Sequence, residues 1–291
     1  NAPVPRALLA LGLPTMVGMM INALYNLVDA YFVGGLGTSQ MGAITVAFPL
    51  GQVVVGLGLL FGNGAASCLS RLLGQGDREN ANRVASTALY SSIFVGALVI
   101  FCCVIWLEPI LGRLGASDSV MPYALSYTGI YIVCSIFNVF NVTMNNIVSS
   151  EGAAKTTMCV LLAGAVLNLV LDPIFIYGLD LGVAGAAIAT GISQCFSALV
   201  YLAYILGKRS VFRFSIRDFR LSGNIMSEIL KIGIPTMAFQ LLTSLSMSMI
   251  NDRAREYGDY ALAAMGAVTK IMSVGSLMVF GFLKGLQPIA G

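Results

Sequence analysis

Eight stretches of the chain run almost free of charge for at least the length of a membrane crossing. A transmembrane helix needs about 20 mostly apolar residues, and such runs occupy 7–33, 36–70, 84–107, 121–149, 156–178, 181–207, 226–250 and 260–286. The pattern predicts eight spanning helices. Run 36–70 exceeds one crossing, so a loop is expected at one end, at Gly37-Thr38-Ser39-Gln40. The first run is no signal peptide: it is too long, and it carries Asn22, Asn26 and Asp29 where an apolar segment belongs. Polar residues inside the runs fall at helical spacing. Asn22, Asn26 and Asp29 share one face of the first helix, and Asn138, Asn141 and Asn145 one face of the fourth. Asn168 and Asp172 share a face of the fifth, and Thr190, Gln194 and Ser197 a face of the sixth. Four such stripes in the first six helices can converge on one bundle interior.

Composition narrows the class. Of 291 residues 57% are hydrophobic and 10% charged, with a mean hydropathy of +0.87; soluble domains carry about 25% charged residues. Such a chain cannot coat a globule with polar surface, so a soluble enzyme is excluded, and disorder with it. No enzymatic activity is expected. There are no histidines, so proton or cation chemistry falls on carboxylates, Lys or Tyr. The six cysteines lie in apolar runs without a C-x-x-C pair and read as small core residues. No cofactor is called for beyond H+ or Na+ as a coupling ion.

Lys and Arg placement sets the expected orientation. With the N-terminus in the cytoplasm, twelve of the sixteen fall on inner segments and three (Arg113, Arg253, Arg255) on outer loops, with Lys270 inside a span. The basic connector 207–224 is then cytoplasmic, and its Phe212, Phe214, Phe219 and Leu221 are expected in the headgroup layer. The partner is the lipid bilayer; a nucleic-acid role is not expected.

The chain also repeats itself. Leu11-Gly12-Leu13-Pro14-Thr15-Met16 returns as Ile232-Gly233-Ile234-Pro235-Thr236-Met237, and Met41-Gly42-Ala43-Ile44-Thr45 as Met265-Gly266-Ala267-Val268-Thr269. Six spans separate the copies, an even number, so both enter from the same side. That is a parallel repeat about an axis along the membrane normal. The expected fold is an all-α polytopic membrane protein. A six-helix bundle occupies 1–215, its cytoplasmic connector reaches about 224, and 225–291 supplies the first two helices of a second bundle. The second copy stops some 70 residues in, so the chain reads as a fragment of a twelve-helix protein truncated after its eighth helix.

Three charges lie within spans: Asp29, Asp172 and Lys270. Each costs about 2.5–3.5 kcal/mol at the bilayer centre even on the mild insertion scale. Asp29 and Asp172 sit in the outer thirds of two outward-running helices and can share a site. Carboxylates brought together in low dielectric resist joint ionisation, so such a pair takes up a proton or holds a cation with nearby Asn and Thr oxygens. Lys270 is too deep for easy snorkelling and is expected to face the cavity between the bundles. Its repeat mate is Val46, so the fold does not demand it. Pro14, Pro173 and Pro235 each free a backbone carbonyl one turn earlier and are candidate hinges. Gly58/Gly62 and Gly281/Gly285 have close-packing spacing.

Together these residues resemble the multidrug and toxic compound extrusion (MATE) family. The likeness rests on Pro14 with Asn26-Leu27-Val28-Asp29, Ser70-Arg71-Leu72-Leu73-Gly74, Glu151-Gly152, and Asn168 through Gly178. Gly185-Ala186-Ala187 with Thr190 and Ser193, Lys231-Ile232-Gly233-Ile234-Pro235, and Gln287-Pro288 complete it. The resemblance implies two six-helix bundles and export of amphipathic organic cations driven by inward H+ or Na+. In one branch the coupling carboxylates lie in the first bundle. Asp29 and Asp172 match that pattern, with Asn168, Thr190 and Asn145 beside them as the cation-coupling set and Asn26, Asn141, Gln194 and Lys270 lining the substrate cavity. A monomer in a bacterial or archaeal inner membrane is expected. Two alternatives stand beside the antiporter: a lipid-linked oligosaccharide flippase of the same superfamily, which needs a cavity rich in Lys and Arg, and an inactive truncated fragment.

The charge split generates a test of topology. Single cysteines placed at Ser117 or Asp259 are expected to react with an impermeant reagent added outside sealed cells. Those at Arg78 or Arg213 are expected to stay unlabelled until the cells are opened. Outside labelling at Arg213 would reverse the orientation.

Overall fold

The structure is a computed structural model that describes residues 4–220 and 222–284. Of the residues singled out above, Leu221, Gly285, Gln287, Pro288 and the side chain of Asn22 lie outside the described residues. The elements are helices α1 (Val4–Gly34), α2 (Thr38–Gln75), α3 (Arg78–Ile105), short α4 (Leu107–Arg113), α5 (Met121–Ser150) and α6 (Ala154–Pro173). A single π turn, Ile174–Gly178, continues α6; α7 (Gly182–Leu206), α8 (Gly223–Arg255) and α9 (Asp259–Lys284) complete the chain. Among the described residues eight helices are long and apolar enough to cross a membrane, and there is no strand. The bilayer supplies no hydrogen bonds, so only self-satisfied helices of this kind can span it here.

The second run departs from expectation. Thr38, Ser39 and Gln40 are helical, and the turn is confined to 35–37, with Gly37 at a φ of 142°. The whole run is therefore one helix of 38 residues, roughly 57 Å long. It outreaches the hydrocarbon layer and forms the axis against which α3, α5, α8 and α9 pack. Around it, α5 pairs with α7, and α1 lies between α6 and α9.

Small residues allow the α2 contacts. A Cβ on Gly64 would lie 2.2 Å from the Ile229 carbonyl oxygen, and one on Gly233 would lie 1.9 Å from that of Leu60. The α2 and α8 backbones therefore touch directly. Gly58 and Gly62 do the same toward Val142 and Thr143 of α5, which gives the first close-packing pair its partner. Proline adds a second device. Pro49 has no N–H for the Thr45 carbonyl one turn back, and Asn251 of α8 donates to that oxygen at 3.1 Å. Ser244 donates to the Pro49 carbonyl at 2.9 Å. At one end of the molecule Ser39, Ser117 and Ser119 donate to Asp259 at 2.7, 2.9 and 2.8 Å. At the other, Arg71 of α2 pairs with Glu228 of α8 at 2.7 Å.

The connector differs from expectation in its aromatics. Phe212 is buried against Leu60, Phe61 and Ile147, Phe214 packs on the same cluster, and the Phe219 ring meets Tyr90 edge-on at 6.1 Å. These side chains are taken up by the protein, not left for headgroups. The polar first turns of α3 hold the connector backbone: Asn82 accepts from Arg213 N at 2.9 Å and Thr87 from Arg220 N at 3.2 Å. Glu151 accepts from Tyr204, Ser210 and Val211 N at 2.7, 2.9 and 2.8 Å. Burial pushes its carboxyl up, and these three donors pull it back. The backbone amides are thereby paired while Arg209 and Arg213 stay exposed.

Two outcomes follow from this packing. Gly64→Ala or Gly233→Ala forces two backbones apart and is expected to cost about 1–3 kcal/mol, read as a lower midpoint of thermal unfolding in detergent. Gly74→Ala, with nothing within 4 Å of its Cβ, is the control and leaves the midpoint unchanged or higher. Glu151→Ala removes the acceptor of three hydrogen bonds, each worth about 0.5–1.5 kcal/mol. Amide exchange at 210–213 is expected to accelerate.

Candidate functional site

The intramembrane polar residues gather near the turn that joins α1 to α2. Asp29 lies five residues before the end of α1, and Asp172 occupies the last turn of α6, directly before Pro173. Pro173 cannot donate to Leu169, and the chain widens there into the π turn, closed by Leu179 N donating to Ile174 O at 2.8 Å. That turn is fixed from both sides. Tyr177 donates to the Phe32 carbonyl at the end of α1, and a Cβ on Gly185 would lie 2.6 Å from the Phe175 backbone. The ends of α1, α6 and α7 are thus tied together, which sets the two aspartates at one depth.

Burial of the set is nearly complete: Asp172 is 0% exposed, Asn168 2% and Asp29 5%. Asn168 Nδ2 donates to Asp172 Oδ1 at 3.2 Å and reaches Thr190 Oγ1 of α7 at 3.5 Å, the outer limit of a hydrogen bond. Among the described residues three oxygens around these groups, Asp172 Oδ2, Asn168 Oδ1 and Asp29 Oδ1, have no hydrogen-bond partner. Buried polar atoms are normally paired, so this group has unused acceptor capacity. A carboxylate, an amide oxygen and a hydroxyl are hard donors; they suit a proton or a hard cation.

Lys270 lies at this site. Its Nζ is 3.8 Å from Asp29 Oδ2 and donates to the Asn26 main-chain oxygen at 3.2 Å. It reaches there from α9, bordering a small cavity lined by Ile44, Thr45 and Phe48 of α2 and Met247 and Asn251 of α8. The expectation that Lys270 needs a polar neighbour between the two sets of helices fits this placement. The sequence did not reveal that the neighbour is Asp29 itself.

The other expected residues divide. Asp29, Asp172, Asn168 and Thr190 come together. Asn145 does not: it donates to Tyr201 at 3.3 Å, and Tyr201 is eleven residues beyond Thr190 on α7, roughly 16 Å along the axis. Asn141 donates to the carbonyl and the side chain of Gln194, both at 2.8 Å. Gln194 lines a second cavity with Tyr131, Cys134, Asn138 and Thr190. Asn26 contributes a main-chain oxygen to Lys270. Of the four residues expected along the substrate cavity, Lys270 and Gln194 border different small cavities. Pro14 and Pro235 sit inside unbroken helices, whereas Pro173 borders the π turn.

Three tyrosines escaped the sequence reading. Tyr127 and Tyr131 stack at 5.8 Å on α5, and Tyr25 precedes Asp29 by one turn. The signal was present: the Asn138–Asn141–Asn145 stripe continues backward at helical spacing through Tyr131 and Tyr127.

Known proteins place this geometry in a lineage. The MatE family model matches residues 14–174. The chain is 31% identical over 290 residues to the multidrug export protein MepA of Staphylococcus aureus (strain NCTC 8325 / PS 47), covering 99% of this chain and 64% of that protein. The chain thus spans about 64% of the length of the curated relatives it matches. Among solved structures it is similar to an outward-facing MATE transporter of the MOP superfamily, with a TM-score of 0.86 at 31% identity over 96% of this chain and 62% of that one. The inward-facing form matches with a TM-score of 0.85 at 32% identity, over 95% and 63%. With the family model covering more than half of its residues, the chain belongs to the MatE family.

Proposed function

We propose that this chain serves a secondary active transporter, an antiporter that exports amphipathic organic cations in exchange for inward H+ or Na+. In this reading 1–215 is the first bundle, the connector runs to about 224, and 225–291 opens the second. The protein works as a monomer in a bacterial or archaeal plasma membrane, with its N-terminus in the cytoplasm. The observation that carries the reading is the buried Asp172–Asn168–Thr190 group beside Asp29, with oxygens left unpaired at membrane depth. An ion entering there satisfies those oxygens and changes how α6 and α7 pack. Pro173 and its π turn give α6 a place to flex, since their ladder is already broken. With no histidine in the chain, the carboxylates are the proton carriers if the ion is H+. The names of the relatives, multidrug export proteins and MATE transporters, support the export of drugs. A flippase for lipid-linked sugars needs free cations for pyrophosphate, and Lys270 is committed to Asp29.

The test is efflux of a fluorescent organic cation from vesicles holding the full-length protein, with pH and Na+ gradients imposed separately. Asp172→Asn is expected to abolish gradient-driven efflux at matched expression while dye binding persists. Asn168→Ala removes one neutral ligand of several and is expected to weaken coupling by about 1–3 kcal/mol, or ~5–150-fold. Near-normal efflux by Asp172→Asn contradicts the reading.

A further inference from the structure

Two carboxylates at one depth invite the reading that both load an ion. Their surroundings differ. Asp29 has a cationic partner supplied by the protein, Lys270 at 3.8 Å, in a pair whose side chains are 6% and 11% exposed. Among the described residues Asp172 has only the neutral amide of Asn168 as a bonding partner, and its second oxygen has none.

Lys270 is delivered to Asp29 rigidly. One turn before it, a Cβ on Gly266 would lie 2.0 Å from Thr45 Oγ1, so the α9 backbone rests directly on α2. Thr269, adjacent to Lys270, turns its hydroxyl back onto the Met265 carbonyl at 2.8 Å. The ammonium is held on its other side by the Asn26 main-chain oxygen at 3.2 Å. Nothing in the repeat requires this lysine, since Val46 stands at the equivalent place. A charge that the fold does not need, carried to a buried carboxylate of another helix, is costly unless it is used.

Charge arithmetic then decides the loading. Two carboxylates and one ammonium leave a single negative charge in a dry site, and one monovalent cation neutralises it. Without Lys270 two would be needed. We propose that Lys270 is a built-in cation occupying one of the two ion places, so that the site takes up a single H+ or Na+, at Asp172, in each transport cycle. The inference rests on the antiporter reading and goes beyond it by assigning the stoichiometry and dividing the roles of the two aspartates. Ionisable groups beside the pair include Tyr25, one turn before Asp29 on α1, and Lys270 from α9.

The experiment measures the ion-to-substrate ratio. Full-length protein in proteoliposomes is loaded with tetraphenylphosphonium, and the H+ or Na+ gradient at which net flux stops gives the number of ions exchanged. Wild type is expected to give one, and Lys270→Arg one as well. Lys270→Met is expected to give two, because Asp29 must then find its own cation. The double variant Asp29→Asn with Lys270→Met returns to one, whatever its rate, and guards against misfolding of the single variant. A ratio of two in wild type, or of one in Lys270→Met, overturns the inference while leaving the antiporter reading intact. Wild-type flux that responds to neither gradient overturns the antiporter reading, and the stoichiometry with it.

Discussion

A charged carboxylate in the hydrocarbon layer must be neutralised or surrounded by donors, and the alternative costs several kcal/mol. Much of this molecule is arranged around that requirement. Asp29 meets it with Lys270 from α9. Asp172 meets it only in part, through Asn168, and its second oxygen is unpaired among the described residues. Both solutions depend on helix positions held by other contacts: Tyr177 on the end of α1, Gly185 against the π turn, and Gly266 on α2. The site is therefore a property of the packing, and a change in the packing is felt at the site.

The same rule governs the backbone. Wherever proline interrupts a helix, a carbonyl is left without its N–H, and the bilayer offers no replacement. At Pro49 the loss is met by Asn251 from α8, which turns a broken ladder into an interhelical joint. At Pro173 the chain widens into a π turn instead. The first solution joins α2 to α8; the second sets a π turn, Ile174–Gly178, just beyond Asp172. Close glycine contacts between α2 and α8 reinforce that joint.

The fold was largely legible in the sequence because hydrophobic length and charge placement act over whole helices. All eight long helices appear where the apolar runs predicted them. Asp29, Asp172, Asn168 and Thr190 were legible because intramembrane polar residues are expensive and share helix faces. What failed depended on partners far apart in the chain. The pairing of Lys270 with Asp29 joins residues 241 positions apart, which no local pattern encodes. Asn145 shares a face with Asn141 but bonds Tyr201, eleven residues along α7 from Thr190, too deep to join the aspartates. The connector aromatics looked amphipathic in isolation; only the groove between α2, α3 and α8 shows that protein covers them. The role of Asn251 was hidden because Pro49 lies in a different helix.

The central claim is that Asp172 holds the coupling ion and gives it up when the substrate binds. The most direct measurement is ion release by the purified full-length protein in weakly buffered detergent on addition of tetraphenylphosphonium, followed with a pH indicator and a sodium electrode. The account predicts about one ion released per protein, and none from Asp172→Asn. Undiminished release from Asp172→Asn, or no release of either ion from the wild type, would contradict it.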